Sequence, residues 1–299
     1  MKKNSLIMKM HGCGNDFVVL GDFENQITGN LAERICDRHF GIGADGVITL
    51  GINPEFAEGK QLVPKWKMRV YNSNGTEAEM CGNGIRCAAK WLVDNRYAKL
   101  GETPLMTKAG VRIPSVLVNS PLEAQVRVNM GKPVFYDPKQ VSVAPGSDGS
   151  VKMWTLNENA VPGVPAIDGY YVGMGNPHAV FFVSDGNAEP FANQYGPLIE
   201  KATHIFPQKT NVHFVEEGDF GKFRVYTWER GDGRTLACGT GACAVYVAAT
   251  MDTRIPVGTP AEMILPGGEL DISWTGKDNP VFMTGPAKNV SPVSLDFLV

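Results

Sequence analysis

The sequence lacks the features that mark nucleic-acid-binding, membrane-spanning and secreted proteins. Its charges nearly balance, with 28 Lys and Arg residues against 31 Asp and Glu residues, so no basic excess favours nucleic acid or an anionic membrane surface. It has no apolar run near the roughly 18 residues that a membrane span needs. The apolar stretch near its start, Leu6 to Met8, is too short for a secretory signal core. We therefore expect a cytoplasmic protein that binds neither nucleic acid nor membranes.

Motifs for metals and cofactors are also missing. The six cysteines form no CxxC pair and show no spacing typical of a zinc site. In a chain without a secretory signal, they are expected to be reduced thiols rather than a disulfide framework. The glycine cluster at residues 41–46 is not followed by Lys-Ser or Lys-Thr, which argues against a P-loop. We therefore expect no metal and no cofactor.

Two stretches share a pattern in which a cysteine precedes a glycine-rich turn. Residues 80–84 are Met-Cys-Gly-Asn-Gly, and residues 237–241 are Ala-Cys-Gly-Thr-Gly. Each runs into a segment with helical character, and the first backbone N–H groups of a helix lack partners within it. The positive potential at such a helix start lowers the pKa of a thiol. The pattern predicts that Cys81 and Cys238 are paired reactive thiols.

The two halves of the chain match at three landmarks in the same order and at nearly constant spacing. The matched pairs are residues 12–15 with 173–176, 68–71 with 223–226, and Cys81 with Cys238. Such self-similarity indicates an internal duplication, although glycine-rich turns can also resemble one another by chance. A duplicated α+β unit would place the two cysteines face to face across a cleft between the halves.

Two facing thiols suit the inversion of a carbon atom that bears a carboxylate. The proton on that carbon is weakly acidic, so its removal needs a positioned base and a charge-stabilising site. Inversion also needs an acid on the opposite face, and a thiolate with a thiol supplies both. Two helix starts would hold the carboxylate. The sequence thus predicts a cofactor-independent racemase or epimerase. The alternative from another class is a non-catalytic redox sensor whose two thiols form a reversible disulfide.

The chain resembles the diaminopimelate epimerase family over almost its whole length. The motifs that carry the resemblance are HGCGNDF (11–17), RHFGIGADG (38–46), NSNGTEAEMCGNGIRC (72–87), GMGNPH (173–178), TNVHF (210–214), WERGDGRTLACGTGACA (228–244) and LPGG (265–268). The resemblance implies interconversion of LL- and meso-diaminopimelate for lysine and peptidoglycan synthesis, and a homodimer. The remaining alternative of the same chemistry is a two-thiol racemase of another amino acid, such as histidine.

The resemblance implies roles for particular residues. Cys81 and Cys238 would be the acid/base thiols, and Asn15 would lie near the reacting amino group. The backbone N–H groups that would hold the reacting carboxylate belong to Gly82, Asn83, Gly239 and Thr240. The side chains that would fix the distal centre are Asn72, Asn176, Asn211 and Arg230. The residues that would tune the thiols are His178 and Glu229, of which Glu229 would also contact the substrate.

The resemblance also implies the fold and its division. We expect an α+β protein of two pseudo-symmetric lobes, each a curled, mostly antiparallel β-sheet wrapped around a central helix. The N-terminal lobe would span residues 1–128, completed by residues 285–299, and the C-terminal lobe residues 129–284. The helices predicted from the residue pattern are 28–40, 85–93, 197–204 and 242–250.

The sequence departs from the family pattern at a few positions. Gly46 stands where some members have a polar residue, and Arg234 stands where an acidic residue is common. Cys13 adds a third thiol two residues before Asn15, which would be open to oxidation. Residues 53–65 form an excursion longer than a simple hairpin. The remaining cysteines, Cys36, Cys87 and Cys243, are expected in the core.

Overall fold

The computed structural model describes residues 7–22, 26–56, 63–142 and 153–296, and this part of the chain divides into two compact units. The first unit runs to Asn129 and resumes at Thr284, and the second spans Met130 to Met283. Residues 57–62 of the predicted excursion lie outside the described residues.

The first unit is built mainly from short strands. Its elements are β1 (Met8–Gly12), β2 (Asn15–Gly21), α1 (Gly29–Cys36), β3 (Gly46–Ile52), β4 (Trp66–Asn72), β5 (Glu77–Ala78), α2 (Gly82–Asp94), β6 (Gly101–Glu102), β7 (Leu105–Thr107), β8 (Gly110–Arg112), β9 (Ser115–Asn119) and β10 (Glu123–Asn129). Strand β19 (Phe282–Pro292) begins in the second unit and pairs with β1 in the first. Most pairings are antiparallel, whereas β2–β3 and β4–β7 are parallel.

The second unit repeats this plan. Its elements are β11 (Met153–Leu156), β12 (Ile167–Gly173), β13 (Pro177–Val183), α3 (Ala188–Gln194), α4 (Gly196–Glu200), β14 (Asn211–Glu217), β15 (Lys222–Glu229), β16 (Gly233–Arg234), α5 (Gly239–Met251), β17 (Ala261–Leu265) and β18 (Gly268–Ser273). A 3₁₀ turn, Asp219–Gly221, joins β14 to β15.

The central strand pairings of the two units correspond. In the first unit β2 pairs in parallel with β3, β3 antiparallel with β4, and β4 in parallel with β7. In the second unit β13 pairs in parallel with β14, β14 antiparallel with β15, and β15 in parallel with β17. The helices α2 and α5 follow the β4–β5 and β15–β16 hairpins at equivalent points. The predicted α+β architecture of similar lobes is confirmed.

The helices α2 and α5 lie in the core of their units. Helix α5 is apolar nearly all round, which is typical of a helix enclosed by other elements. Helix α2 also buries the charged side chains of Arg86 and Lys90. The Lys90 ammonium donates hydrogen bonds to Asp94, Asn119 and Ser120 at 3.2, 3.0 and 2.8 Å. The prediction that the remaining cysteines pack in the core is confirmed, since all three are buried: Cys36, Cys87 and Cys243.

The predicted extent of the first helix was wrong at its end. Thr28 caps α1 as expected, with its hydroxyl accepting from the Leu31 N–H. The helix stops at Cys36, four residues early, because the Asp37 carboxylate accepts from the N–H groups of His39 and Phe40 at 2.7 and 2.8 Å. These side-chain bonds offer the backbone a turn in place of another helical turn.

Candidate active site

Cys81 occupies the N-cap position of α2, and its sulfur is contacted from two sides. The N–H of Gly84, in the first helical turn, donates to Cys81 Sγ at 3.4 Å. Cys81 Sγ also lies 3.8 Å from Asn15 Oδ1. The helix start therefore offers a backbone N–H to the sulfur, a contact that favours the thiolate form.

Asn15 is held by a network that sequence reasoning did not find. Its Oδ1 accepts from Asn83 Nδ2 at 3.2 Å, and its Nδ2 donates to Asp45 Oδ2 at 2.8 Å. Asp45 in turn forms an ion pair with Arg38 at 2.8 Å. The amide of Asn15 is thus fixed in one orientation beside Cys81.

A buried guanidinium braces the turn after Cys81. Arg86 is fully buried on α2 and donates to Asn83 Oδ1, to the Gly82 carbonyl and to the Pro286 carbonyl, each at 3.1 Å. It also donates to Cys13 Sγ at 3.7 Å. Arg86 therefore places a positive charge beside Gly82 and Asn83, whose backbone N–H groups are expected to bind a carboxylate.

The departures in the first unit have structural explanations. Gly46 lies on β3 opposite Asn72 of β4, and a Cβ there would approach the Tyr71 carbonyl oxygen to 2.6 Å, so a side chain is excluded.

Cys13 is buried and has a left-handed φ of 52°. Burial raises the pKa of its thiol, which makes it a poor target for oxidation. The Asn72 side chain donates to Thr76 Oγ1 at 3.0 Å and closes its own turn.

Cys238 occupies the matching N-cap position of α5, with polar groups around its sulfur. Its Sγ lies 3.6 Å from Thr240 Oγ1, and the side chain of Glu229 hydrogen-bonds to it. The Glu229 carboxylate also accepts from Thr235 Oγ1 at 2.6 Å. The buried Cys238 and the half-buried Glu229 are therefore direct neighbours, and the proton affinity of each depends on the other.

The expectation that a helix start lowers the thiol pKa is wrong for Cys238. Burial, followed by the charge of Glu229, raises the pKa of Cys238 well above its ordinary value, although the Gly241 N–H at the helix start favours the thiolate. Burial also raises the pKa of Glu229. Cys238 is therefore a thiol, not a thiolate, at neutral pH.

Asn176 and His178 belong to a chain of buried hydrogen bonds. His178 Nε2 lies 2.8 Å from Asn176 Oδ1, and His178 Nδ1 lies 2.9 Å from His213 Nε2. His213 Nδ1 lies 2.9 Å from Thr227 Oγ1. Burial lowers the pKa of both imidazoles, that of His213 to about 3, so both rings are neutral.

Asn211 and Arg230 hold neighbouring backbone segments of the second unit. Asn211, opposite His178 in the parallel β13–β14 pair, donates through Nδ2 to the Pro177 carbonyl at 3.0 Å. Its Oδ1 accepts from the Arg230 N–H at 3.0 Å. The Arg230 guanidinium is exposed and donates to the Gln208 carbonyl at 3.1 Å. Asn211 thus fixes the loop that carries the guanidinium.

Arg234 does not act on the thiol directly. Its guanidinium lies over the Tyr226 ring and pairs with Glu189 at 3.3 Å. At this departure from the family pattern, the side chain therefore contacts Tyr226 and Glu189.

Several residues of these networks were not predicted. Asp45, Arg86, His213 and Thr227 lie in or beside quoted motifs, but no spacing rule connects them to the cysteines. His213 and Thr227 face each other across β14 and β15, a pairing that only the sheet register defines. Within the described part of the chain, no group of three His, Cys, Asp or Glu side chains is arranged to hold a metal, and no helix is long and apolar enough to cross a membrane.

The fold itself is shared with solved racemases and epimerases. A probable proline racemase from Agrobacterium radiobacter superimposes with a TM-score of 0.64 at 14% identity, covering 97% of this chain and 93% of that one. A hydroxyproline epimerase from Agrobacterium vitis gives a TM-score of 0.62 at 14% identity, covering 99% and 94%. At this identity the likeness establishes the fold alone, which places the chain in a class of two-unit α+β proteins.

Sequence similarity identifies the family within that class. The family model described as diaminopimelate epimerase matches residues 7–136 and 170–290. The diaminopimelate epimerase of Carboxydothermus hydrogenoformans is 44% identical over 292 residues, covering 95% of this chain and 96% of the relative. That of Methanococcus maripaludis is 38% identical over 291 residues, covering 96% and 98%. The chain belongs to the diaminopimelate epimerase family.

Proposed function

We propose that the protein interconverts LL- and meso-diaminopimelate, with Cys81 and Cys238 as the acid/base pair and without a cofactor. One observation carries this proposal: each unit has a cysteine at the N-cap of its equivalent central helix. Membership of the diaminopimelate epimerase family supports the choice of substrate. The same activity serves lysine and peptidoglycan synthesis.

The protonation state of Cys238 sets the order of proton transfers. Because its pKa is raised, Cys238 enters the reaction as the proton donor. Cys81, contacted by the Gly84 N–H, then acts as the base that removes the α-proton. Each turnover leaves Cys81 protonated and Cys238 ionised, so the reverse reaction starts from those states. Two proton transfers of this kind invert the carbon without any redox change.

The first turns of the two helices supply the groups for the reacting carboxylate. The backbone N–H groups that we assign to it belong to Gly82, Asn83, Gly239 and Thr240. A helix start binds carboxylates well because its N–H groups lack helical partners and carry positive potential. In the first unit Arg86 adds a buried positive charge behind this turn. Asn15, fixed by Asp45, would contact the reacting amino group.

The side chains that we assign to the distal end of the substrate are Asn72, Asn176, Asn211 and Arg230. The exposed guanidinium of Arg230 can clamp a carboxylate through two N–H groups. Glu229 would contact both the substrate and Cys238, and His178 would orient Asn176. A substrate with an amino-acid group at each end requires this second set, whereas a histidine racemase would not.

We also propose how the protein is organised in the cell. The N-terminal lobe, residues 1–128 with 285–299, and the C-terminal lobe, residues 129–284, would each supply one thiol. The division of the described chain into two compact units supports this assignment. As an enzyme of amino-acid biosynthesis, the protein would work in the cytoplasm, and we propose that it does so as a homodimer.

Proton exchange in deuterated water tests the activity. The reduced protein, incubated with LL-diaminopimelate and followed by proton NMR, should exchange the α-proton and form the meso isomer. L-Histidine and L-lysine, run in parallel, should show no exchange. Exchange with L-histidine alone would replace the substrate assignment with the racemase alternative. Absence of exchange with every amino acid, in the presence of reductant, would favour the redox sensor.

The two-thiol mechanism is tested by single substitutions. Cys81→Ala and Cys238→Ala should each lower kcat/KM for inversion by roughly 10²–10⁴-fold, the contribution of a positioned acid or base. Cys36→Ala is the matched control, because Cys36 is a buried core thiol of α1. The control should retain inversion. Near-normal inversion by either variant of the two cap cysteines would contradict the mechanism.

A further inference from the structure

We propose that Thr227 and His213 are positioning residues that act through His178 to fix which end of the Asn176 amide faces the substrate. The proposal rests on the proposed function for its kinetic consequence, but its structural part concerns only the second unit. His178, His213 and Thr227 are far apart in the sequence, and three neighbouring strands bring them together. His178 is on β13, His213 on β14 and Thr227 on β15.

The donors of the chain follow from the Asn176 amide. With Asn176 Oδ1 facing His178 Nε2 at 2.8 Å, His178 must donate, since a carbonyl oxygen only accepts. A neutral His178 then accepts at Nδ1, so His213 Nε2–H donates to it at 2.9 Å. His213 in turn accepts at Nδ1 from the Thr227 hydroxyl at 2.9 Å. Both imidazoles therefore carry their proton on Nε2.

The hydrogen bonds from Thr227 to Asn176 can be donated in only two directions, towards Asn176 or towards Thr227. In the observed direction the side-chain carbonyl of Asn176 accepts from His178. The NH2 group of Asn176 then points away from His178 and can donate to a carboxylate oxygen of the substrate. In the reversed direction each histidine carries its proton on Nδ1, and Asn176 presents its carbonyl, which suits an ammonium group. The Thr227 hydroxyl selects the observed direction, because in the reversed direction it would accept from His213 and its own buried O–H would have no acceptor among the described residues. The direction of the hydrogen-bond chain thus selects which end of an amino acid Asn176 binds.

Burial and packing keep the chain intact. His178, His213 and Thr227 are buried, so a broken link would leave a polar group without a partner away from water. A Cβ on Gly241 would lie 2.2 Å from His213 Cε1, which shows that the His213 ring fills the space at the first turn of the Cys238 helix.

In the first unit, the position that corresponds to His213 carries an apolar side chain. There Gly84, in the first turn of α2, faces the side chain of Ile48 on β3. An apolar side chain is enough to fill this space, so packing alone does not require the imidazole of His213. The polar chain is a property of the unit that carries Asn176, which points to a role in substrate recognition.

The tautomers can be measured on the wild-type protein. Long-range proton–nitrogen correlation spectra of ¹⁵N-histidine-labelled protein distinguish a protonated from an unprotonated ring nitrogen. His178 and His213 should both be neutral with the proton on Nε2. A proton on Nδ1 of His178 would overturn the proposal. This measurement needs no variant and no substrate, so it stands even if the proposed activity is wrong.

A matched pair of substitutions tests the effect on the substrate. Thr227→Val removes the hydroxyl at nearly constant volume, so the direction of the chain is no longer imposed, whereas Thr227→Ser keeps the hydroxyl. With LL-diaminopimelate, Thr227→Val should lower kcat/KM about tenfold, mainly through KM, because it removes a binding hydrogen bond. Thr227→Ser should restore most of the wild-type KM. Equal KM values for both variants, with unchanged thermal unfolding, would contradict the positioning role.

Discussion

At the scale of single residues, the pKa of the Cys238 thiol shows how the surroundings can override a favourable position. It has the helix-start position that favours a thiolate, yet burial and the neighbouring Glu229 outweigh that effect and raise its pKa. Removing a charge from water costs several kcal/mol, whereas a helix start contributes about 1 kcal/mol or less at most sites. The Cys238 thiol therefore holds its proton at neutral pH.

The charge of Glu229 gives a prediction at this scale. Glu229→Gln removes a negative charge beside the sulfur, so the pKa of Cys238 should fall towards its ordinary value. Alkylation of Cys238 by iodoacetamide, followed by peptide mass spectrometry between pH 7 and pH 10, should then begin at lower pH. At pH 8 we expect a several-fold faster reaction, since more thiolate is present.

The control for this prediction is Glu189→Gln. Glu189 is an exposed carboxylate of the same unit and pairs with Arg234. Its removal should leave the alkylation profile of Cys238 unchanged. If Glu229→Gln shows the wild-type profile too, the Glu229 carboxylate does not hold the proton on Cys238.

At the scale of elements, the first turns of α2 and α5 are equivalent in sequence but not in their surroundings. Each has a glycine three residues after its cap cysteine, Gly84 and Gly241. A Cβ on Gly84 would approach the Ile48 methyl group Cδ1 to 3.0 Å, and a Cβ on Gly241 would approach the His213 ring to 2.2 Å. The ring is held by hydrogen bonds at both nitrogens, whereas the end of the Ile48 side chain can rotate away.

Alanine substitution at the two glycines should therefore have unequal effects. Gly241→Ala should lower the free energy of unfolding by about 1–3 kcal/mol, which is typical of overpacking a rigid core site. Gly84→Ala should cost less than half as much, because Ile48 can shift and alanine favours the helix. Urea unfolding of both variants beside the wild type measures the difference. Equal losses would show that His213 is not rigidly held.

At the scale of the whole molecule, the two buried histidines link stability to pH. Both are neutral in the fold, while an unfolded histidine has a pKa of about 6.5. The unfolded state therefore binds more protons below pH 6.5. The lowered pKa values contribute stability that is fully present above pH 6.5 and is lost as the pH falls towards about 3, the folded pKa of His213.

This linkage predicts acid sensitivity that a substitution can reduce. Between pH 6.5 and pH 4, each buried histidine should lower the free energy of unfolding by about 1 kcal/mol per pH unit. Chemical unfolding at a series of pH values should show a shallower slope for His213→Gln than for the wild type. Above pH 7 the two slopes should coincide, which serves as the internal control. Parallel slopes below pH 6.5 would contradict the buried, neutral state of His213.

Local patterns in the sequence predicted much of the fold. The cysteine-led helices and strands such as β4 follow from residue periodicity and from glycine turns, which act over a few positions. Helix α3 was not predicted, because it has only seven residues and carries Pro190 near its start. Proline is tolerated in a first helical turn, where the missing N–H would lack a partner, but it weakens the sequence signal.

The sequence by itself determined the family through its motifs. It also determined the glycine-rich helix starts at Cys81 and Cys238, since these depend on neighbouring residues alone. Only the tertiary structure decided that Cys238 holds its proton and that His213 and Thr227 support Asn176. Burial and strand register bring together residues far apart in the chain, and no local pattern encodes the desolvation or the hydrogen bonds that result.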